Sequence, residues 1–336
     1  MSQIIMSQMM MSRRQALIGT GAVAGIGVLG GFPLTAAEAK APMGNAQAPY
    51  FYRLRHGQME ITAVSDGPLA LGDPSGAFLG VSKQEIGDML SRNFLPPDNL
   101  VLEQNAAVLN TGSKLVLFDS GMGTNTMFGK TTGRLLKSLR EAGIDPRNID
   151  AVVISHGHID HLGGLVGAKG NRLFPNAQIY ISQADFDFWT DESKPAALKD
   201  FIAHARKNLL SYRDRIVFIK DGQEILPGIV AMAAPGHTVG HMVFMITSDG
   251  KSICNIADLA HHPVLVVERP LMEFAYDTDP KQAAQSRVRV LDMLASQKIP
   301  LLAYHFPWPG IGHVAKQGES FRYVAQPMQM LLDSSK

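Results

Sequence analysis

The chain has 336 residues, of which 46% are hydrophobic, 18% charged and 7% aromatic, with one cysteine and a formal net charge of +1. This composition excludes disordered, collagenous and disulfide-stapled chains, and the lone Cys254 excludes a cysteine-rich structural zinc site. Residues 1–39 carry Arg13, Arg14 and Glu38, so without them the net charge falls from +1 to zero, and no basic stripe remains to neutralise phosphates. Nucleic acid is therefore not an expected partner.

Residues 12–39 read as an export signal of the twin-arginine kind. Ser12, Arg13 and Arg14 open it, an apolar run from Ala16 to Leu34 holds six glycines, and Ala37, Glu38 and Ala39 form a small-x-small cleavage site. The glycines leave the run too weakly apolar for the alternative, a stable membrane anchor. Five methionines in the first eleven residues make Met11 an alternative start. The chain from 40 to 336 is expected to be one hydrolase domain, exported to the periplasm or the extracellular space.

Taken in chain order, β-rich or alternating runs predict strands over Glu60–Val64, Ala106–Leu109 and Lys114–Asp119. Leu135, Leu136 and Leu139 predict a helix over Thr131–Ala142, which Gly143 stops. A buried strand over Ala151–Ser155 then runs directly into HGHIDH, His156 to His161, with Gly157 expected to let the backbone turn tightly. Further strands are predicted over Gln178–Ser182, Ile216–Lys220 and Ile229–Ala233, and a helix over Pro195–Tyr212. Met242–Thr247 and Ser252–Ile256 read as a hairpin through Asp249-Gly250, Lys281–Ser296 as a helix, and Ile299–Tyr304 as a strand ending at His305. Cys254 is expected to pack inside its strand as a small apolar residue.

Strand ends thus deliver an imidazole or carboxylate four times, at His156 to His161, His237, Asp258 and His305. Together they bring five histidines and two aspartates, Asp160 and Asp258, which is enough for two divalent ions that share one carboxylate. Zinc is the expected ion, and manganese, iron or cobalt take the same donors. Two such ions would hold a bridging hydroxide at neutral pH.

HGHIDH, GHT at His237, Asp258 and His305 resemble, in order and spacing, the metallo-β-lactamase superfamily. The resemblance implies an α+β fold, the αββα sandwich, with the metals at one sheet edge. It assigns His156, His158 and His237 to one ion, Asp160, His161 and His305 to the other, and Asp258 to both. The commonest true β-lactamases carry cysteine at the place of Asp258, so penicillin hydrolysis is not expected. Flavodiiron proteins carry glutamate at the place of His158. EITAVSDG (60–67), NTGSKLVLFDSG (110–121), FPNAQ (174–178) and FPWPGIGH (306–313) are similar to the methyl parathion hydrolases within the superfamily. That likeness implies an aromatic substrate pocket built from Phe128, Trp189 and Phe201, and departs from the family over Leu71–Leu100 and Asp191–Lys199. Asp119 resembles the residue that orients a metal-bound histidine, and His241 is a candidate for a similar task. His56, His204, His261, His262 and His313 are expected to be surface or structural residues.

The expected activity is hydrolysis of an ester-type bond in a small molecule, an aryl phosphotriester by resemblance, through attack by the bridging hydroxide, with Asp160 or Asp258 relaying a proton. An exported lactonase or carboxylesterase is the nearest alternative. More distant are a single-iron enzyme like the persulfide dioxygenases and a non-catalytic binding protein, against which the full ligand set speaks. Related hydrolases often form dimers, so a homodimer is the one assembly the resemblance suggests.

Overall fold

Alternation along the strands sets the layers, because successive side chains in a strand point to opposite faces. The computed structural model describes residues 50–332, and the export signal expected over 12–39 lies outside them. A first sheet of seven strands runs in the order Phe51–His56, Met59–Ser65, Asn105–Asn110, Leu115–Phe118, Ala151–Val153, Gln178–Ser182 and Ile216–Ile219. Its first four strands pair antiparallel and its last four parallel. A second seven-stranded sheet takes Glu224–Leu226, Ile229–Ala233, Met242–Ser248, Lys251–Ala257, Leu301–Ala303, Ile311–Gln317 and Ser320–Ala325.

Val116, Phe118 and Val153 point inward from the first sheet and meet Phe244, Ile246 and Leu302 of the second, which makes the central core. Their strand neighbours Leu117 and Val152 point the other way, onto Leu135, Leu139 and Leu209 of the helices covering the first sheet. On the far side Val243, Cys254 and Ile256 pack against helices Lys83–Arg92 and Pro280–Gln297 through Met89, Leu90, Val290 and Leu294. The layers are therefore helix, sheet, sheet, helix: an α+β sandwich of the αββα type. No described helix is long and apolar enough to cross a membrane.

The helix expected over 131–142 forms only over Leu135–Glu141. Gly133 takes φ of +77°, outside the helical region, and the buried carboxylate of Asp66 accepts the Gly133 and Leu135 backbone N–H groups at 3.1 and 2.8 Å. A cap supplied from 69 residues away thus sets this helix start, which local periodicity does not reveal. The helix expected over 195–212 is regular only over Lys199–Leu210, while that over 281–296 extends to 280–297 behind an Asp279 cap and Pro280. Helices Lys83–Arg92 and Gln183–Thr190 and the hairpin of Ile311–Gln317 with Ser320–Ala325 have no counterpart among the expected elements.

Burial pushes the Asp66 carboxyl up to about 6, against the lowering effect of the Met122, Leu135 and Gly133 N–H donors. The folded chain therefore holds this proton more tightly than the unfolded chain, and the contribution to stability is lost as pH rises through about 6. In metal-free protein, the stability of wild type relative to Asp66→Asn is expected to fall by about 2 kcal/mol between pH 4 and pH 7. Denaturant unfolding of both proteins across that range measures it, and parallel pH profiles would refute it.

Candidate metal centre

Strand ends of both sheets meet at one edge of the sandwich. The strand Ala151–Val153 leads into His156 and His158, and the short helix Ile159–Leu162 presents Asp160 and His161 from its first turn. The second sheet contributes His237 after Ile229–Ala233, Asp258 after Lys251–Ala257 and His305 after Leu301–Ala303. His156 Nε2, His158 Nδ1 and His237 Nε2 form a triangle with edges of 3.0 to 3.1 Å. Nitrogens bound tetrahedrally to one zinc at about 2.0–2.1 Å lie roughly 3.3 Å apart, so the triangle matches a shared cation.

Asp160, His161, Asp258 and His305 form a second group. His161 Nε2 lies 3.2 Å from Asp258 Oδ1 and 3.5 Å from Asp160 Oδ2, and His305 Nε2 lies 3.1 Å from Asp258 Oδ2 and 3.4 Å from Asp160 Oδ2. Asp258 Oδ2 is also 3.4 Å from His237 Nε2, so this carboxylate faces both groups. His161 Nε2 and Asp258 Oδ1 are buried without a hydrogen-bond partner, a costly arrangement unless a cation accepts their lone pairs. The donor set and these orphan atoms fit two divalent ions.

Electrostatics agrees. Burial, with neighbouring imidazoles adding to it, holds His156 and His158 well below the ordinary histidine range, ready to ligate. Burial opposes the charged form of His237 and His305 too, but the Asp258 carboxylate, with Asp277 on one and Asp160 on the other, lifts them to about 9 and about 10. Positive charge is favoured here, and in the metal-free chain protons supply it.

The outer nitrogens of the His161, His237 and His305 rings are held as well. Asp119, in the left-handed region with φ of +61°, brings Oδ2 to 2.9 Å from His161 Nδ1, and accepts the Ser155 N–H at Oδ1. His241 Nε2 accepts the Asp258 backbone N–H at 3.2 Å and its Nδ1 lies 3.1 Å from the Ala234 carbonyl. Asp277 Oδ1 is 2.7 Å from His237 Nδ1, and the Glu103 carbonyl 2.8 Å from His305 Nδ1. Such partners fix which ring nitrogen faces the ion. Asp277 stands 40 residues from its histidine with no spacing to announce it.

His261, expected at the surface or in a structural role, is not at the surface and lies against the shared carboxylate. It is 2% exposed, stacks on Phe274 at 3.9 Å, and sets Nε2 3.2 Å from Asp258 Oδ2. Its position three residues after Asp258 was the available signal. His56 and His262 do take structural roles, bonding to the Ile246 carbonyl and to the Val264 and Leu265 N–H groups.

A cleft of about 50 Å³ over the two groups is lined by Leu69, Leu71, Leu102, Phe128, Phe201, Phe274, Tyr276 and His261. Beside it a cavity of about 310 Å³ is bounded by His158, Phe188, Trp189, Phe201, Tyr276 and Thr278. Phe128 and Phe201 thus line the cleft, whereas Trp189 borders the side cavity and is 2% exposed. No lysine or arginine among the described residues lines either space. Gly157 has a different reason from the expected tight turn: its φ is ordinary, and a Cβ there would stand 2.0 Å from Trp189 Cδ1.

Residues 100–298 match the model of the Metallo-beta-lactamase superfamily. An N-acyl homoserine lactonase of Bacillus thuringiensis is 25% identical over 193 residues, 56% of this chain and 65% of its own length, so the chain spans less than two thirds of that relative. Among solved structures, AidC, a dizinc quorum-quenching lactonase in complex with a product N-hexnoyl-L-homoserine, superposes with a TM-score of 0.79. It shares 29% identity and the match covers 83% of this chain and 98% of that one. The hydrolase AbOPH in the beta lactamase superfamily gives 0.79 with 27% identity, over 84% of this chain and 100% of that one.

Proposed function

The chain belongs to the metallo-β-lactamase superfamily, and from that premise we propose that it is a dinuclear metal-dependent hydrolase of neutral, apolar carboxylic esters, with lactones the leading substrates. The observation that carries this reading is a pair of ligand groups sharing Asp258 at the floor of a cleft that no lysine or arginine among the described residues lines. Anionic substrates, phosphate diesters or carboxylate-bearing β-lactams, would find nothing there to pair their charge apart from the ions. Similarity to N-acyl homoserine lactonases supports the lactone.

In this reading His156, His158 and His237 hold one ion, Asp160, His161 and His305 the other, and Asp258 both. Zinc is the preferred ion, since imidazole and carboxylate donors suit it and a structural relative is described as dizinc. When bound, the ions supply Lewis acidity toward the ester oxygen and lower the pKa of water. Apolar walls exclude bulk water and orient the ester, and Asp160 or Asp258 carries a proton to the leaving alkoxide. His261 offers an imidazole to the substrate from the same wall. Export through the signal over 12–39 belongs to this proposal.

A second reading, an aryl phosphotriester hydrolase, is favoured by Phe128 and Phe201 on the cleft, because an aryl leaving group stacks on such a wall and departs without protonation. Metal analysis by plasma mass spectrometry, alongside kcat/KM for an N-acyl homoserine lactone, a neutral aryl ester, an aryl phosphotriester and a phosphate diester, tests both. Two ions per chain and a preference of at least about 100-fold for neutral over anionic substrates, equivalent to about 3 kcal/mol, are expected. Comparable turnover of the diester would overturn the neutral-substrate reading, and one iron with oxygen consumption and no hydrolysis would overturn the hydrolase.

A further inference from the structure

The helix Gln183–Thr190 presses on both loops that carry the three-histidine group. Its first turn meets the loop after His237: a Cβ on Gly240 would stand 2.1 Å from Ser182 Oγ and 2.7 Å from the Asp185 nitrogen. Its last turn meets the loop between His156 and His158, where Trp189 occupies the space that a Gly157 side chain would need and packs edge-on against the His158 ring at 5.0 Å. Between these contacts the fully buried Asp185 carboxylate accepts three hydrogen bonds of 2.7 Å, from Gly157 N–H and Thr238 O–H at Oδ2 and from Gly240 N–H at Oδ1. One donor lies between two ligands, another directly follows the third.

We propose that Asp185 is a positioning residue that joins the HGH loop to the GHT loop and sets the His156, His158, His237 triangle before an ion arrives. The proposal rests on the reading of that triangle as an ion site. It touches neither substrate nor the second ligand group, so its removal acts on one ion and spares the other. Partners that hold ligands in place are worth 10- to 100-fold in metal affinity.

The test measures zinc per chain across a chelator series for Asp185→Asn and for Thr238→Val, which keeps side-chain volume and deletes a single donor. Each is made in the wild type and in His237→Ala and His305→Ala backgrounds, which leave intact the second and the first ligand group respectively. In the His305→Ala background Asp185→Asn is expected to release zinc at a roughly 10- to 100-fold lower free chelator concentration and Thr238→Val at an intermediate one, with no shift for either in the His237→Ala background. Unchanged release overturns the proposal, as does equal loss in both backgrounds, which is what general loosening of the fold produces. Should Asp185→Asn fail to fold, Thr238→Val decides by the same criterion. A wild type that does not take up two ions removes the site reading itself, and is distinguished by that arm alone.

Discussion

Asp258→Asn is expected to lower kcat/KM by roughly 10³-fold, about 4 kcal/mol of transition-state stabilisation, and to reduce bound metal to one ion per chain or fewer. The carboxylate serves both groups at once: Oδ2 lies 3.1 Å from His305 Nε2 and 3.4 Å from His237 Nε2, and Oδ1 lies 3.2 Å from His161 Nε2. Asparagine preserves volume but offers a single neutral acceptor, and its amide N–H₂ would face imidazole nitrogens or a cation. The negative charge that balances two divalent ions in a buried site is lost together with one of two ligand atoms. Metal analysis and steady-state kinetics on the same preparation check the result. A variant with two tightly held ions and full turnover would show that the proposed site is wrong.

Metal removal is the second large effect. Each ion held at about 1,000 times its Kd stabilises the folded chain by about 4 kcal/mol, so stripping two should lower the melting temperature by roughly 10–20 °C and bring hydrolysis to background. Both should return on adding zinc. Binding must also expel the protons that the carboxylates hold on His237 and His305, so affinity falls as pH falls below about 9. Melting scans and chelator titrations at pH 6 and pH 8 measure this. A melting temperature indifferent to chelator would remove the ions from the description of the folded state.

The ligands were legible because chemistry of this kind sits at strand ends. A β-branched run followed by HGHIDH states both the support and the donors, and GHT, Asp258 and His305 repeat the theme on later strands. His261 was less legible: its one signal, the three-residue spacing from Asp258, gains meaning only once Asp258 is placed in space and the neighbouring imidazole proves to face it. Asp185 and Asp277 were invisible for a related reason. Their partners lie 28 to 55 and 40 residues away, and a lone aspartate in a helical or loop segment looks like any solvated one. Asp66 belongs with them, since it starts a helix far along the chain.

What the sequence by itself determined is the donors, because residue types limit which cations can be held, and the central strands that carry them; the αββα layers it offered only through resemblance to a family. Only the tertiary structure decided where helices begin, which carboxylate meets which imidazole, and that Gly157 yields to Trp189 and not to a turn. Those outcomes depend on close approach between segments far apart in the chain, and such distances are fixed by packing of the whole sandwich, not by any local pattern.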